Sequence, residues 1–215
     1  MPIKPRKNNL PNACAMKDDE EGGFIQLITG SSDNDDSLFK QGIYYIVGEV
    51  ESGLITAIQK DILLKQMDPN WKKDIQLFIN TAGGEASSTW ALIDLLDWIR
   101  MDVRTVGMGL CWSAGACLLA CGTKGKRFMA KNSSMMVHGA NFSNLSGNRS
   151  QLMATMKDIH HEHDRDIRFW LEHSKYKTKK DIESKFLDGS DHFMTAEEAL
   201  AHGIIDEVIK GKKNK

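Results

Sequence analysis

Ser113 stands in Cys111-Trp112-Ser113-Ala114-Gly115-Ala116, between a strand-like run (Val103 to Met108) and a stretch of small residues that reads as a short helix to about Cys121. A serine hydroxyl becomes a useful nucleophile only when a neighbouring base takes its proton. At a helix N-terminus the local dipole also favours developing negative charge. The segment is not the G-x-S-x-G elbow, because Cys111 fills the position two before the serine. A serine at such a turn also serves simply as a helix cap. His138 leaves the apolar run Met135-Met136-Val137 for a polar loop, where an imidazole either reaches a neighbouring strand end or is satisfied structurally. Asp191, in Ser190-Asp191-His192-Phe193-Met194-Thr195, is either a third polar partner or a turn residue. Thr81-Ala82-Gly83-Gly84 follows another strand-like run. Tandem glycines there are plain turn chemistry, or they offer the Gly83 N–H to a carbonyl, with the Ala114 N–H as the second donor of an oxyanion hole.

These residues need a frame that delivers strand ends to one place. Ile43 to Val47 reads as a buried strand, and Ile75 to Ile79 as a second that ends in the turn Asn80 to Gly84. Between them, Leu54, Ile55, Ile58, Ile62 and Leu63 fall at helical spacing within Ser52 to Met67, and Pro69 stops the helix. A helix over Ser87 to Met101 precedes the strand Val103 to Met108. Further strands are expected at Lys126 to Met129, Met135 to Val137 and Ile204 to Ile209. A long helix begins near Gln151, with Leu152, Met156, Ile159, Ile167 and Trp170 at steps of three and four. Thr195 to Glu198 forms a capping box that opens a last helix, and Gly203 sits where a glycine cap ends one. Alternating strands and helices predict an α/β fold with a largely parallel sheet.

The 215 residues suffice for one domain, and 41% hydrophobic with 27% charged residues is ordinary globular usage. With 28 basic against 29 acidic side chains, the net charge of -1 gives no field for nucleic acid or an anionic membrane. Nor is there an apolar run of membrane-spanning length or a signal-peptide pattern. The expectation is a soluble cytoplasmic protein with no nucleic-acid or membrane partner. Residues 1–37 read as a mobile leader with one short strand at Phe24 to Ile28, residues 38–210 as the domain, and 211–215 as a tail. Cys14, Cys111, Cys117 and Cys121 form no CxxC pair and read as reduced thiols. His160, His161 and His163 lie beside Glu162 and Asp164, but Arg165 occupies the place where HExxH needs histidine, so a solvated helix face is expected and no metal. No cofactor motif is present.

Taken together, FINTAGGEASS, CWSAGACLLACGTKGKRFMAKNSSMMVH and SDHFMTAEEALAHGIIDEV resemble the Clp protease proteolytic subunit family in order and spacing, from about Phe39 to Ile209. The resemblance implies a ClpP/crotonase-like fold of repeated ββα units, with a strand-helix handle protruding over about 139–175. It implies a serine endopeptidase that works through an acyl-enzyme, with Ser113 as nucleophile, His138 as general base and Asp191 orienting the imidazole. Gly83 and Ala114 would form the oxyanion hole, and Gly84, Gly139 and Ala140 would hold the substrate backbone. The substrates would be peptides and unfolded proteins, with a peptide adding as a strand along the handle edge. A homo-oligomeric heptameric ring follows from the same resemblance, the long helix stacking two such rings into a double ring, with an AAA+ unfoldase delivering substrate.

The chain departs from that pattern in places. Gly189 and Ser190 replace an acidic-Arg pair that contributes to ring-to-ring contacts. Gly139-Ala140 stands where Gln-Pro is common, Trp112 fills a position usually small, and the leader lacks the family's apolar hairpin. Two other readings compete: a crotonase-type acyl-CoA enzyme, which also uses two backbone donors, and a non-catalytic ring subunit.

Overall fold

The computed structural model describes residues 37–140 and 146–211. The leader up to residue 36, with the expected strand at Phe24 to Ile28, and residues 212–215 of the tail lie outside them. In chain order the elements are β1 (Ile43–Val50), α1 (Ser52–Met67), β2 (Ile75–Gly84), α2 (Ala86–Trp98), β3 (Val103–Trp112), α3 (Ala114–Ala120), β4 (Arg127–Ala130), β5 (Ser134–Val137), α4 (Arg149–His173), α5 (Lys179–Phe186), β6 (His192–Thr195), α6 (Ala196–Ala201) and β7 (Glu207–Ile209). Among the described residues they form one seven-stranded sheet with the order β1-β2-β3-β4-β7. All pairs are parallel except β5 with β6. The α/β expectation holds.

Alternation along the strands decides which face is covered. Tyr44, Ile46, Ile75, Leu77, Ile79, Val103 and Met129 are buried and join one core with Leu54, Ile55, Ile58 and Ile62 of α1 and Leu92, Ile93 and Leu96 of α2. The small-residue helix α3 lies directly on β2: a Cβ at Gly115 would stand 2.7 Å from Thr81 Cγ2. On the opposite face Tyr45 is 50% exposed, Val47 56% and Met108 44%, with Tyr45 stacked on Phe78. Ile43 to Val47 is therefore buried on one face only, not throughout.

The strands also run further than the sequence suggests. Asn80 to Gly84 is not a turn: β2 continues through both glycines, because Glu49 and Val50 of β1 pair with Gly83 and Gly84. The ladders break at one level on the way. The β1–β2 register shifts between Val47 and Glu49, and the β2–β3 register between Ile79 and Thr81. There β3 also changes partner, from β4 at Thr105 to Gly107 to β5 at Leu110 to Trp112. Gly48 (φ 83°) and Gly109 (φ 92°) adopt backbone that glycine tolerates. Side chains replace the lost backbone bonds. Asn80 Oδ1 accepts from Leu110 N at 3.0 Å, Ser133 Oγ accepts from Gly109 N at 2.9 Å, and the Thr81 hydroxyl donates to Gly48 O. Register shifts of this kind are where strands bend, and this line divides the sheet in two.

Several boundaries differ in smaller ways. The expected Ser87 to Met101 helix is Ala86–Trp98, and the last strand is shorter, Glu207–Ile209. α5 and β6 are not among the elements expected from the sequence. Both capping features of α6 are present, the Thr195–Glu198 box and Gly203 at φ 75°. In α4, Ile167, Phe169 and Trp170 are buried on the domain itself, whereas Met153 and Met156 are 64% and 48% exposed. No described helix is long and apolar enough to cross a membrane.

Candidate active site

Everything the sequence nominated lies beyond the bend. Gly83 and Gly84 end β2, Ser113 follows β3 and His138 follows β5. Asp191 precedes β6, which runs antiparallel to β5, so its beginning lies beside the end of β5. The register pairs Val137 with His192, which places His138 and Asp191 next to each other at the open end of that pair.

Ser113 Oγ lies 2.8 Å from His138 Nε2, and His138 Nδ1 lies 3.3 Å from Asp191 Oδ1. The imidazole is mostly covered, whereas the Asp191 side chain remains half-exposed. Among the described residues Ser113 is the one non-glycine residue with positive φ, 53°. Such a backbone costs on the order of 1–3 kcal/mol and persists only where surroundings impose it. Here the Ser113 N–H donates to Met136 O at 2.8 Å, and α3 begins with the next residue.

Gly83 is required by space as well as by its φ of 114°. A Cβ there would stand 2.8 Å from Ser113 Cβ and 3.3 Å from Ala114 N. At Gly84 a Cβ would meet Val50 O at 2.3 Å. The Gly83 N–H, expected to be an idle oxyanion donor, already donates to Thr81 Oγ1 at 3.0 Å. A hydrogen bond to a charged acceptor is roughly twice as strong as a neutral one, so an oxyanion would outcompete the hydroxyl. Thr81 belongs to the glycine motif, but nothing local in the sequence signals this contact.

Trp112 is accommodated beside the site rather than in it. Its Nε1 donates to Ser134 Oγ at 3.1 Å, and its ring meets Phe193 edge-on at 5.3 Å. Gly139 and Ala140 line the cavity behind Ser113 but form no strand; of the remaining expected handle edge up to Ser150, 141–145 lies outside the described residues and Arg149 and Ser150 already belong to α4. That cavity is also lined by Trp90, Cys117, Arg165, Asp166 and Trp170. The segment from His160 to Arg165 is expected to be a solvated helix face, yet Arg165, with Asp166, lines this cavity. Their approach to Ser113 comes from the packing of α4, which local periodicity does not reveal. The described cysteines are free thiols. Burial pushes the Cys111 thiol up to about 12 and the Cys117 and Cys121 thiols up as well, so none is an activated nucleophile.

A serine hydroxyl on an imidazole, the imidazole on a carboxylate, all at the strand ends of an α/β sheet, defines a serine hydrolase. The comparisons specify which kind. The family model described as Clp protease matches residues 29–212. The ATP-dependent Clp protease proteolytic subunit 2 of Bacillus licheniformis is 35% identical over 175 residues, which cover 80% of this chain and 88% of that relative. The chain belongs to the Clp protease family.

Proposed function

We propose that this chain cleaves peptide bonds with Ser113 as nucleophile, His138 as general base and Asp191 as the group that orients the imidazole. The carrying observation is the 2.8 Å approach of Ser113 Oγ to His138 Nε2, continued to Asp191. In the reaction His138 takes the hydroxyl proton as Oγ attacks the carbonyl carbon, then returns it to the leaving amine. This leaves an ester on Ser113, which water hydrolyses by the same proton path. The Ala114 N–H and the Gly83 N–H, turning from Thr81, hold the oxyanion. Gly84, Gly139 and Ala140 border the path of the substrate backbone. Neither a crotonase-type reaction nor an inactive ring subunit would require this proton line.

Assembly belongs to the same proposal. Parallel sheets are normally covered on both faces, yet Tyr45, Val47 and Met108 stand exposed. A second copy of the chain is the occupant that fits, because the relative is named a subunit. A heptameric ring, pairing of rings through the exposed end of α4, supply of unfolded substrate by an AAA+ unfoldase and a cytoplasmic setting complete the reading.

A fluorophosphonate probe should label Ser113 in the full chain. Ser113→Ala should abolish labelling and lower peptide turnover by roughly 10³- to 10⁶-fold. Turnover unchanged in that variant would remove the assignment. The mass of the same preparation in solution tests the ring, and a monomer at micromolar concentration would contradict it.

A further inference from the structure

Trp112 precedes the nucleophile at the end of β3, yet its side chain is bound to the two strands that lead to the other members of the triad. Its Nε1–H donates to Ser134 Oγ at the start of β5, and its ring meets Phe193 of β6 edge-on with 5.3 Å between centroids. We propose that Trp112 is a positioning residue for the reaction: by clasping Phe193 it fixes β6, and so holds Asp191 where it orients His138. This rests on the peptidase reading above and adds to it the group that keeps the triad aligned.

The register shows why the contact forms. Trp112 pairs with Met136, and Met136 pairs with Phe193, so the three residues make one rung and share a face of the sheet. Neighbouring strands lie about 4.8 Å apart, which puts β6 roughly 9.6 Å from β3. An indole reaches across β5 from one side and a phenyl ring meets it from the other. A small residue at position 112 would leave that space empty. The next rung pairs Val137 with His192, and His138 and Asp191 lie just beyond it.

The link that depends on this clasp is the looser one of the proton line. Ser113 Oγ and His138 Nε2 are 2.8 Å apart, but His138 Nδ1 and Asp191 Oδ1 are 3.3 Å apart, just past the usual hydrogen-bond range. Asp191 is half-exposed, so the strand that follows it sets its place more than packing around it does. That strand has four residues and pairs with β5 alone. A short edge strand holds its register only where side chains specify it, and the Trp112–Phe193 contact ties this one to β3 as well. Displacement of an orienting group by about 1 Å can lower turnover by some 10²-fold.

The test measures kcat and KM of the full chain on one fluorogenic peptide, per folded molecule counted by circular dichroism. Trp112→Ala and Phe193→Ala should each lower kcat by about 10- to 100-fold, with KM within about twofold and the mass in solution unchanged. Trp112→Phe keeps a ring and should recover kcat to within about threefold of wild type. Asp191→Ala should itself lower kcat by about 10⁴-fold. In that background neither substitution should lower kcat again, because the group they position is gone. Phe193 is 58% exposed, so its truncation spares the core and decides the matter even if Trp112→Ala fails to fold. Wild-type kcat in the alanine variants, a loss confined to KM, a Trp112→Phe as impaired as Trp112→Ala, or a loss that persists in full without Asp191 overturns the inference alone. An unchanged kcat in Asp191→Ala, or no fluorophosphonate capture by the wild-type chain, overturns the peptidase reading and this inference with it.

Discussion

β1, β2 and β3 each have two halves that differ in what holds them together. Before the bend their buried face is aliphatic, with Ile46, Leu77 and Val103 packed under α1 and α2. Beyond it the chain is Gly83, Gly84, Ser113 and polar side chains that substitute for ladder bonds, as Asn80 and Ser133 do. The first half gains its stability from burial. The second accepts left-handed backbone at Ser113 and a close glycine contact at Gly83, arrangements that cost stability and serve geometry. Continuous strands therefore carry the rigidity of the core into a stretch that could not order itself.

Paired substitutions across the bend test this division. Gly83→Ala should lower kcat by roughly 10²- to 10³-fold through displacement of the proposed oxyanion donor, and it should also cost about 1–3 kcal/mol each from the strained φ and from the Cβ pressed against Ser113. Leu77→Ala should do the reverse, destabilising by about 3 kcal/mol with kcat per folded molecule unchanged. Denaturant melts alongside active-site titration measure both, and a Leu77→Ala enzyme that is folded but inactive would break the comparison.

Next in size is the clasp at the far edge. Arg127 bonds Asp206 through Nε at 3.0 Å and Nη2 at 2.7 Å. Burial pushes the Asp206 carboxyl up, but hydrogen bonds from the Arg127 side chain and backbone outweigh it and hold it below the usual range. A depressed carboxylate contributes stability that is present above its unfolded pKa and lost as pH falls through its folded one. Asp206→Asn should cost about 2–3 kcal/mol at pH 7 and flatten the loss of stability below roughly pH 4. Fluorophosphonate capture by the folded fraction should not change.

The smallest effect is the most diagnostic. Inside a helix alanine exceeds glycine by about 1 kcal/mol, whereas at an N-cap such as Ser113 glycine is the better of the two even without strain. At position 113 the order should invert, with Ser113→Gly about 1 kcal/mol more stable than Ser113→Ala, because only glycine relieves φ 53°. Equal melting temperatures would mean that the backbone at position 113 is unstrained.

Ser113, His138 and Asp191 were legible in the sequence because each follows or precedes a recognisable element, and a family pattern links them. What brings two of them together was not. β6 is four residues long, too short for alternation to declare it, and its pairing with β5 is a long-range choice. The reach of β2 through Gly84 was hidden because tandem glycine signals a turn locally, while Val50 across the ladder keeps it extended. α5 was findable: Thr178 caps Asp181, and Ile182 and Phe186 are four apart and buried. α4 divides in a way periodicity could not foresee. Leu152, Met156, Ile159, Ile167 and Trp170 read as one stripe, yet Ile167 and Trp170 fill the domain's own core and Leu152 and Met156 do not.

The pairing of Val137 with His192 sets His138 beside Asp191, so the exposed positions between Gly139 and Ser190 can vary without moving that pair, provided the core residues Phe169, Trp170, Ile182 and Phe186 stay in place. The same stretch contributes Arg165 and Asp166 to the wall of the cavity behind Ser113.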